Sequence, residues 1–142
     1  MAESASPEVL VAGGGMVGLA FAVALAEAGV EVMLVDHADP ARYREEAFDG
    51  RSSAIARGSQ QALQVLGLWA GMRAAAAPIL DIRISDGHPG SARPGGASAL
   101  FLHFSHAEVA AEGETAPPLG HIVENTAIRR AGLDRVAGMP RI

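Results

Sequence analysis

Three glycines spaced Gly13-x-Gly15-x-x-Gly18 follow a short apolar run, residues 9–12, and open a stretch of small and aliphatic residues that continues to Ala28. The chemistry this spacing serves is anion binding by backbone. Gly13 permits a tight turn, Gly15 removes the Cβ that would hold a pyrophosphate away from the main chain, and Gly18 lets a helix pack closely on a strand. The N–H groups of the first helical turn, those of Met16 and Val17 included, then face the anion with the positive end of the helix dipole behind them. Asp36, eighteen residues after Gly18 at the end of a second apolar run, is placed to accept hydrogen bonds from ribose hydroxyls and to repel a 2′-phosphate. Gly13, Gly15, Met16, Val17, Gly18 and Asp36 are therefore the candidate dinucleotide-binding set. Turns and packing alone could employ the glycines of a chain that holds 17 of them, and Asp36 could be a solvated turn residue. Neither alternative accounts for strand, turn, helix, strand and acid standing in register. That unit by itself does not distinguish NAD from FAD.

The elements needed to position these residues can be read around them. Residues 9–12 suit a buried parallel strand, residues 16–28 a helix stopped by Gly29, and residues 30–35 a second strand. This is a βαβ unit with a right-handed crossover, so the fold class is α/β and Rossmann-like. Residues 40–50 are polar and read as a loop, and residues 52–66 carry helical spacing through Ile55, Leu63 and Leu66, ending at Gly67. Ile79, Ile82 and Ile84 alternate with polar residues, as do Leu100, Leu102 and Phe104. Residues 79–85 and 100–105 are thus expected to pair as an antiparallel ribbon outside the parallel sheet. Residues 119–123 are a short apolar run, residues 125–136 a helix ended by Gly138 and Pro140, and residues 139–142 fall where a third parallel strand should begin.

Other chemistries find little footing. There is no cysteine, which removes thiolate catalysis and thiolate metal sites. The five histidines are scattered, and His103 and His106, three apart on an expected strand, point to opposite faces and make a poor metal pair. Ser52, Ser53 and Ser59 lack the setting of a nucleophile, and no general acid or base stands out; catalytic and metal-binding residues are both expected to be none. Arg57, Arg129 and Arg130 read as solvated helix faces, the Arg44-Glu45-Glu46 cluster as a solvated loop, and Trp69 as a core anchor. The formal net charge of −5 argues against a nucleic-acid partner. No run is long enough for a transmembrane segment, and the first eight residues resemble neither a secretory signal nor a transit peptide, so the expected location is cytoplasmic.

Two later stretches narrow the reading. FDGRSSAIARGSQQALQVLGLW, residues 48–69, and PLGHIVENTAIRRAGLDRV, residues 118–136, resemble the FAD-dependent aromatic-ring monooxygenases, the para-hydroxybenzoate-hydroxylase-like group, and most closely its ubiquinone-biosynthesis hydroxylases. The resemblance covers nearly all of the chain from Val9 and corresponds to the amino-terminal portion of that family. It implies FAD as cofactor, NAD(P)H as electron donor, and oxygen-dependent hydroxylation of an aromatic, in some members prenylated, phenol. It also implies that Arg51 reaches the FAD, and that Asn125 falls where para-hydroxybenzoate hydroxylase carries a longer, FAD-contacting glutamine. A peripheral membrane or biosynthetic-complex association is compatible with such a substrate. On this reading residues 1–78 begin an FAD-binding domain, 79–117 supply part of an antiparallel substrate-domain sheet, and 118–142 return to the FAD-binding domain, an incomplete fold with no catalysis expected from this portion by itself. Two other readings stay open: a non-catalytic dinucleotide-binding fragment, and an NAD-dependent reductase, which leaves residues 48–69 unexplained.

Overall fold

A computed structural model describes residues 6–45, 48–87, 97–110 and 115–142. Strand β1 (Val9–Ala12) turns through the glycines into helix α1 (Met16–Glu27) and returns as strand β2 (Val32–Val35). β1 and β2 pair in parallel from Val9 opposite Val32 to Ala12 opposite Val35, the βαβ unit expected from the sequence. β2 starts two residues later than the apolar run does. Gly29, at φ +90°, reverses the chain after α1, and the Val30 N–H is spent on the Leu25 carbonyl at 3.1 Å.

Residues 40–50, expected to be loop, instead contain helix α2 (Pro40–Glu45). Asp39 explains the difference: its Oδ1 accepts the Ala41 N–H at 2.9 Å, while Pro40 occupies the first helical position, where a missing N–H costs nothing. Residues 52–66, expected to be one helix, divide into strand β3 (Ser52–Ala56) and helix α3 (Arg57–Val65), which Gly67 ends at φ +74°. Helix α4 (Trp69–Met72) and a 3-10 turn (Arg73–Ala75) lead into strand β4 (Ala76–Ile79), followed by β5 (Asp81–Gly87), β6 (Ala97–Ser105), a second 3-10 turn (His106–Val109), β7 (Gly120–Glu124) and helix α5 (Asn125–Ala137).

β7 is the centre of an antiparallel sheet, β3-β7-β4, with Ser52 opposite Glu124 and Ala76 opposite Val123. Pairing of the main-chain groups of residues 52–56 with β7, together with burial of Ile55 and Val123, outweighs the helical spacing that Ile55 shares with Leu63 and Leu66. β5 and β6 form the separate antiparallel ribbon expected from their alternation, Ile82 opposite Phe104 and Ile84 opposite Leu102. Ile79, read as part of that ribbon, belongs to β4. The chain changes sheet at Leu80, whose carbonyl accepts the His106 N–H at 2.8 Å. The segment expected to loop between the ribbon strands, residues 88–96, lies outside the described residues.

Two cores share α1. Val23, Ile55, Leu68, Met72, Val123, Ile128 and Ala131 are buried together, with Met16 and Trp69 against them; Val11, Ala22 and Val32 form a smaller cluster between α1 and the parallel pair. α5 crosses α1 at close range, since a Cβ on Gly132 would stand 2.9 Å from Leu19 Cδ1. Residues 139–142 remain a turn, yet they bring the Arg141 carbonyl to the Val32 N–H at 2.8 Å, on the edge of β2 where a third parallel strand would pair. An open cleft of about 1010 Å³ follows that edge from Gly14 and Asp36 past Tyr43 to Arg141. Among the described residues no helix is long and apolar enough to cross a membrane.

Candidate dinucleotide site

The glycine turn has the geometry its spacing demands. Gly13 takes φ +107°, a value that favours glycine, and its N–H closes on the Val35 carbonyl at 2.7 Å, so the turn is pinned to the end of β2. A Cβ on Gly18 would lie 1.8 Å from the Gly13 carbonyl oxygen, so a side chain there would destroy the turn. Gly15 is different: its φ of −73° and ψ of 179° are open to any residue, and a Cβ there would meet nothing within 4 Å. What Gly15 keeps clear is the space in front of the turn.

That space faces the start of α1. No side chain caps the helix, its first turn holds no acidic residue, and the first intrahelical donor is Leu19, bonded to the Gly15 carbonyl at 2.9 Å. The N–H groups of Met16, Val17 and Gly18 thus precede the helical ladder and carry the positive end of the dipole. Met16 packs its side chain inward, whereas that of Val17, in a residue 81% exposed, flanks the opening. An anion is what this end of the helix accommodates.

Asp36 closes the other side. Its Oδ2 accepts the Gly14 N–H at 2.5 Å and its Oδ1 the Ala38 N–H at 2.8 Å, with His37 Nδ1 3.2 Å from Oδ1. The N–H bonds from Ala38 and then Gly14 hold its pKa below the usual carboxylate value, against the raising effect of burial, and the His37 charge acts in the same lowering direction. Oδ2 of this ionised carboxylate, which accepts the Gly14 N–H, retains a lone pair suited to a ribose hydroxyl. Gly13, Gly15, Met16, Val17, Gly18 and Asp36 are therefore brought together on one rim, and they fit the ADP half of a dinucleotide.

Arg51 and Asn125 form a second group. The Asn125 N–H donates to the Arg51 carbonyl at 3.1 Å, joining the start of α5 to the residue that precedes β3. Arg51 was expected before a helix; it stands before a strand. Asn125 is buried, and its Oδ1 accepts the Ser53 hydroxyl at 2.7 Å, which leaves Nδ2 as the end with no partner among the described residues. Two arginines read as solvated are engaged. Arg129 donates to Asp49 Oδ2 at 3.0 Å with its guanidinium 5.1 Å from the centre of the Tyr43 ring, and Arg130 Nε donates to the Arg44 carbonyl at 3.2 Å. Asp49 was not singled out from the sequence, although Asp-Gly two residues before an arginine is a turn signal. On the ribbon, His103 Nε2 lies 2.7 Å from Asp81 Oδ1, and among the described residues no three potential ligands gather as a metal site. Trp69 packs against the larger core with its ring 4.9 Å from that of His121.

A dinucleotide-binding α/β domain is the class that this fold and rim define. Residues 6–130 match the family described as FAD binding domain, and the chain belongs to that family. It is 43% identical over 133 residues to ubiquinone hydroxylase UbiL of Rhodospirillum rubrum, covering 94% of this chain and 28% of that protein. It is 30% identical to 3-demethoxyubiquinol 3-hydroxylase of Escherichia coli, covering 95% of this chain and 31% of that protein. The chain therefore spans less than a third of the length of these curated relatives. Among solved structures it is similar in fold to p-nitrophenol 4-monooxygenase PnpA of Pseudomonas putida, with a TM-score of 0.60 and 23% identity over 94% of this chain and 29% of that one. A variant of PqsL from P. aeruginosa gives a TM-score of 0.65 and 20% identity over 95% and 32%. The resemblance carried by residues 48–69 and 118–136 holds at the level of the family.

Proposed function

We propose that this chain is the FAD-binding amino-terminal part of a monooxygenase that hydroxylates an aromatic ring with NAD(P)H and oxygen, in ubiquinone biosynthesis. The observation that carries the reading is the clear space before Gly15, bounded by the uncapped start of α1 and the ionised Asp36. The names of the ubiquinone hydroxylases it resembles support an aromatic substrate of the ubiquinone type; a phenol with or without a prenyl tail, and a setting at a membrane surface or in a biosynthetic complex, belong to the same proposal. Membership of an FAD-binding family leaves the NAD-dependent reductase reading without support.

Each residue has a task in this scheme. The N–H groups of Gly15, Met16, Val17 and Gly18 bind the pyrophosphate, Gly13 and Gly18 shape the turn that presents them, and Asp36 orients the ribose. Arg51 and the Asn125 Nδ2 reach the cofactor from the other side. When bound, FAD supplies the redox and oxygen-transfer chemistry, and the protein's part is to hold and orient it. Residues 1–78 and 118–142 serve the cofactor, and residues 79–117 contribute strands to the substrate side.

Gly15→Val tests this directly, because its backbone angles suit valine and no atom lies within 4 Å of the new Cβ, so the variant should fold. In a titration followed by flavin fluorescence, FAD affinity should fall by about tenfold to a hundredfold, the scale of one or two lost charge-assisted hydrogen bonds. Affinity equal to that of the parent chain would refute the assignment.

A further inference from the structure

We propose that Asp49 is a positioning residue for the cofactor, acting through Arg51; the inference rests on the FAD-binding reading above. Four donors converge on this one carboxylate. Its Oδ1 accepts the Arg51 backbone N–H at 3.0 Å, and its Oδ2 accepts Arg51 Nη2 at 2.9 Å, Arg51 Nε at 3.3 Å and Arg129 Nη2 at 3.0 Å. Gly50, at φ +79°, makes the reversal that folds the carboxylate back on Arg51.

The exposures divide the roles. The Asp49 and Arg129 side chains are 10% and 12% exposed, whereas that of Arg51 is 67% exposed. An exposed arginine two residues from an aspartate would ordinarily keep its rotamer freedom and gain little from the pair. Here the aspartate is not free to follow it. Arg129, on α5 and beside Tyr43, anchors Asp49 from the protein side, and the Asn125 N–H fixes the Arg51 carbonyl. Arg51 is thus held at its backbone and along one edge of its guanidinium, and the remaining Nη1 end stays open to solvent. The single negative charge of Asp49 is divided between two guanidiniums, so Arg51 retains positive charge for the electron-rich oxygens of the ribityl and flavin part, which ADP lacks. Pre-ordering of this kind lowers the entropy lost when a ligand binds.

A loop that merely needed Asp49 to fold would give the same picture, and two ligands separate the cases. ADP engages only the glycine turn and Asp36; FAD also reaches Arg51. Titrate the 142-residue chain and its Asp49→Asn, Arg51→Ala and doubly substituted forms with both ligands. Asp49→Asn keeps the Oδ1 acceptor of the turn and loses the charge. It should raise the Kd for FAD about tenfold, as expected for partners in one hydrogen-bonded network, and that for ADP by less than about twofold. With alanine at 51 the same change should no longer affect FAD. Should Asp49→Asn fail to fold, Asp49→Glu provides the same cycle with the charge kept and the carboxylate displaced by one methylene. Equal weakening of FAD and ADP, an unchanged FAD Kd, or an effect that persists without Arg51 overturns the proposal. Failure of the unsubstituted chain to bind FAD overturns the parent reading, and this one with it.

Discussion

Asp36 illustrates how far a single carboxylate links fold and ligand. The same two oxygens that are proposed to meet the ribose hold the Gly14 and Ala38 N–H groups, so the acid proposed to recognise the ligand also locks the glycine turn. Its pKa lies below the ordinary 3.8 when the chain is folded, chiefly because of those N–H bonds. As pH falls the unfolded carboxylate therefore takes up its proton first. The stability it contributes is complete above about pH 5 and is lost as the pH drops through the folded-state value. Asp49 acts in the same direction, burial raising its pKa and the bonds from Arg51 and Arg129 outweighing that effect. The Asp36→Asn variant isolates the first contribution: thermal unfolding followed from about pH 7 to about pH 3 should show a shallower acid-side loss than the parent chain. Identical slopes would mean that the two N–H bonds stabilise the protonated and ionised forms equally. The place of Asp36, directly after β2 and beside the glycine turn, could be read from the sequence because its partners lie in one local βαβ unit. Asp49 could not, since the anchor that gives it meaning, Arg129, is 80 residues away.

Helices make a second test, because two glycines in them should respond oppositely to the same substitution. Gly58 sits in α3, and a Cβ there would meet nothing within 4 Å, so Gly58→Ala should gain helix propensity and stabilise by about 0.5–1 kcal/mol. Gly132 lies where α5 crosses α1, and a Cβ there would be 2.9 Å from Leu19 Cδ1 and 3.0 Å from its Cβ. Leu19 is fully buried and has little room to retreat. Overpacking of about 1–3 kcal/mol should exceed the propensity gain, leaving Gly132→Ala less stable than its parent. Denaturant midpoints of the two variants read the signs; a stabilised Gly132→Ala would show that the helix crossing can open. What the sequence conveyed about these elements followed how local their causes were. The β1–α1–β2 unit was legible because two apolar runs, a glycine turn and Gly29 lie within 28 residues, although the runs were read as buried and each holds one buried residue, Val11 and Val32. The split of residues 52–66 into β3 and α3 was not, because the partner strand β7 arrives some seventy residues later. α2 was legible in principle from Asp39-Pro40, a helix-start pair, but polar composition pointed to loop.

At the scale of the molecule, α1 carries one core on each side while much apolar surface remains uncovered. Leu10, Phe21 and Met33 are exposed around the parallel pair, and Ile82, Ile84, Leu102 and Phe104 are exposed on the ribbon. The pairs Ile82–Phe104 and Ile84–Leu102 put the last four on one face, as cross-strand neighbours. The cleft along β2 is likewise open beside Asp36, so water has access to the part of the rim proposed to serve the adenosine half. Binding and turnover should therefore separate in this 142-residue polypeptide. On the proposed reading the glycine turn and Asp36 should suffice to hold the ADP half of FAD, whereas hydroxylation depends on a reacting ring enclosed away from water, for which no described residue is assigned. Supplied with FAD, NADPH, oxygen and a prenylated phenol, the purified chain should bind the flavin yet form no more hydroxylated product, by mass spectrometry, than free flavin does. Turnover well above that background would overthrow the expectation. It would mean that copies of the chain cover one another's apolar faces closely enough to build a closed site, which a change of sedimentation with concentration would then reveal.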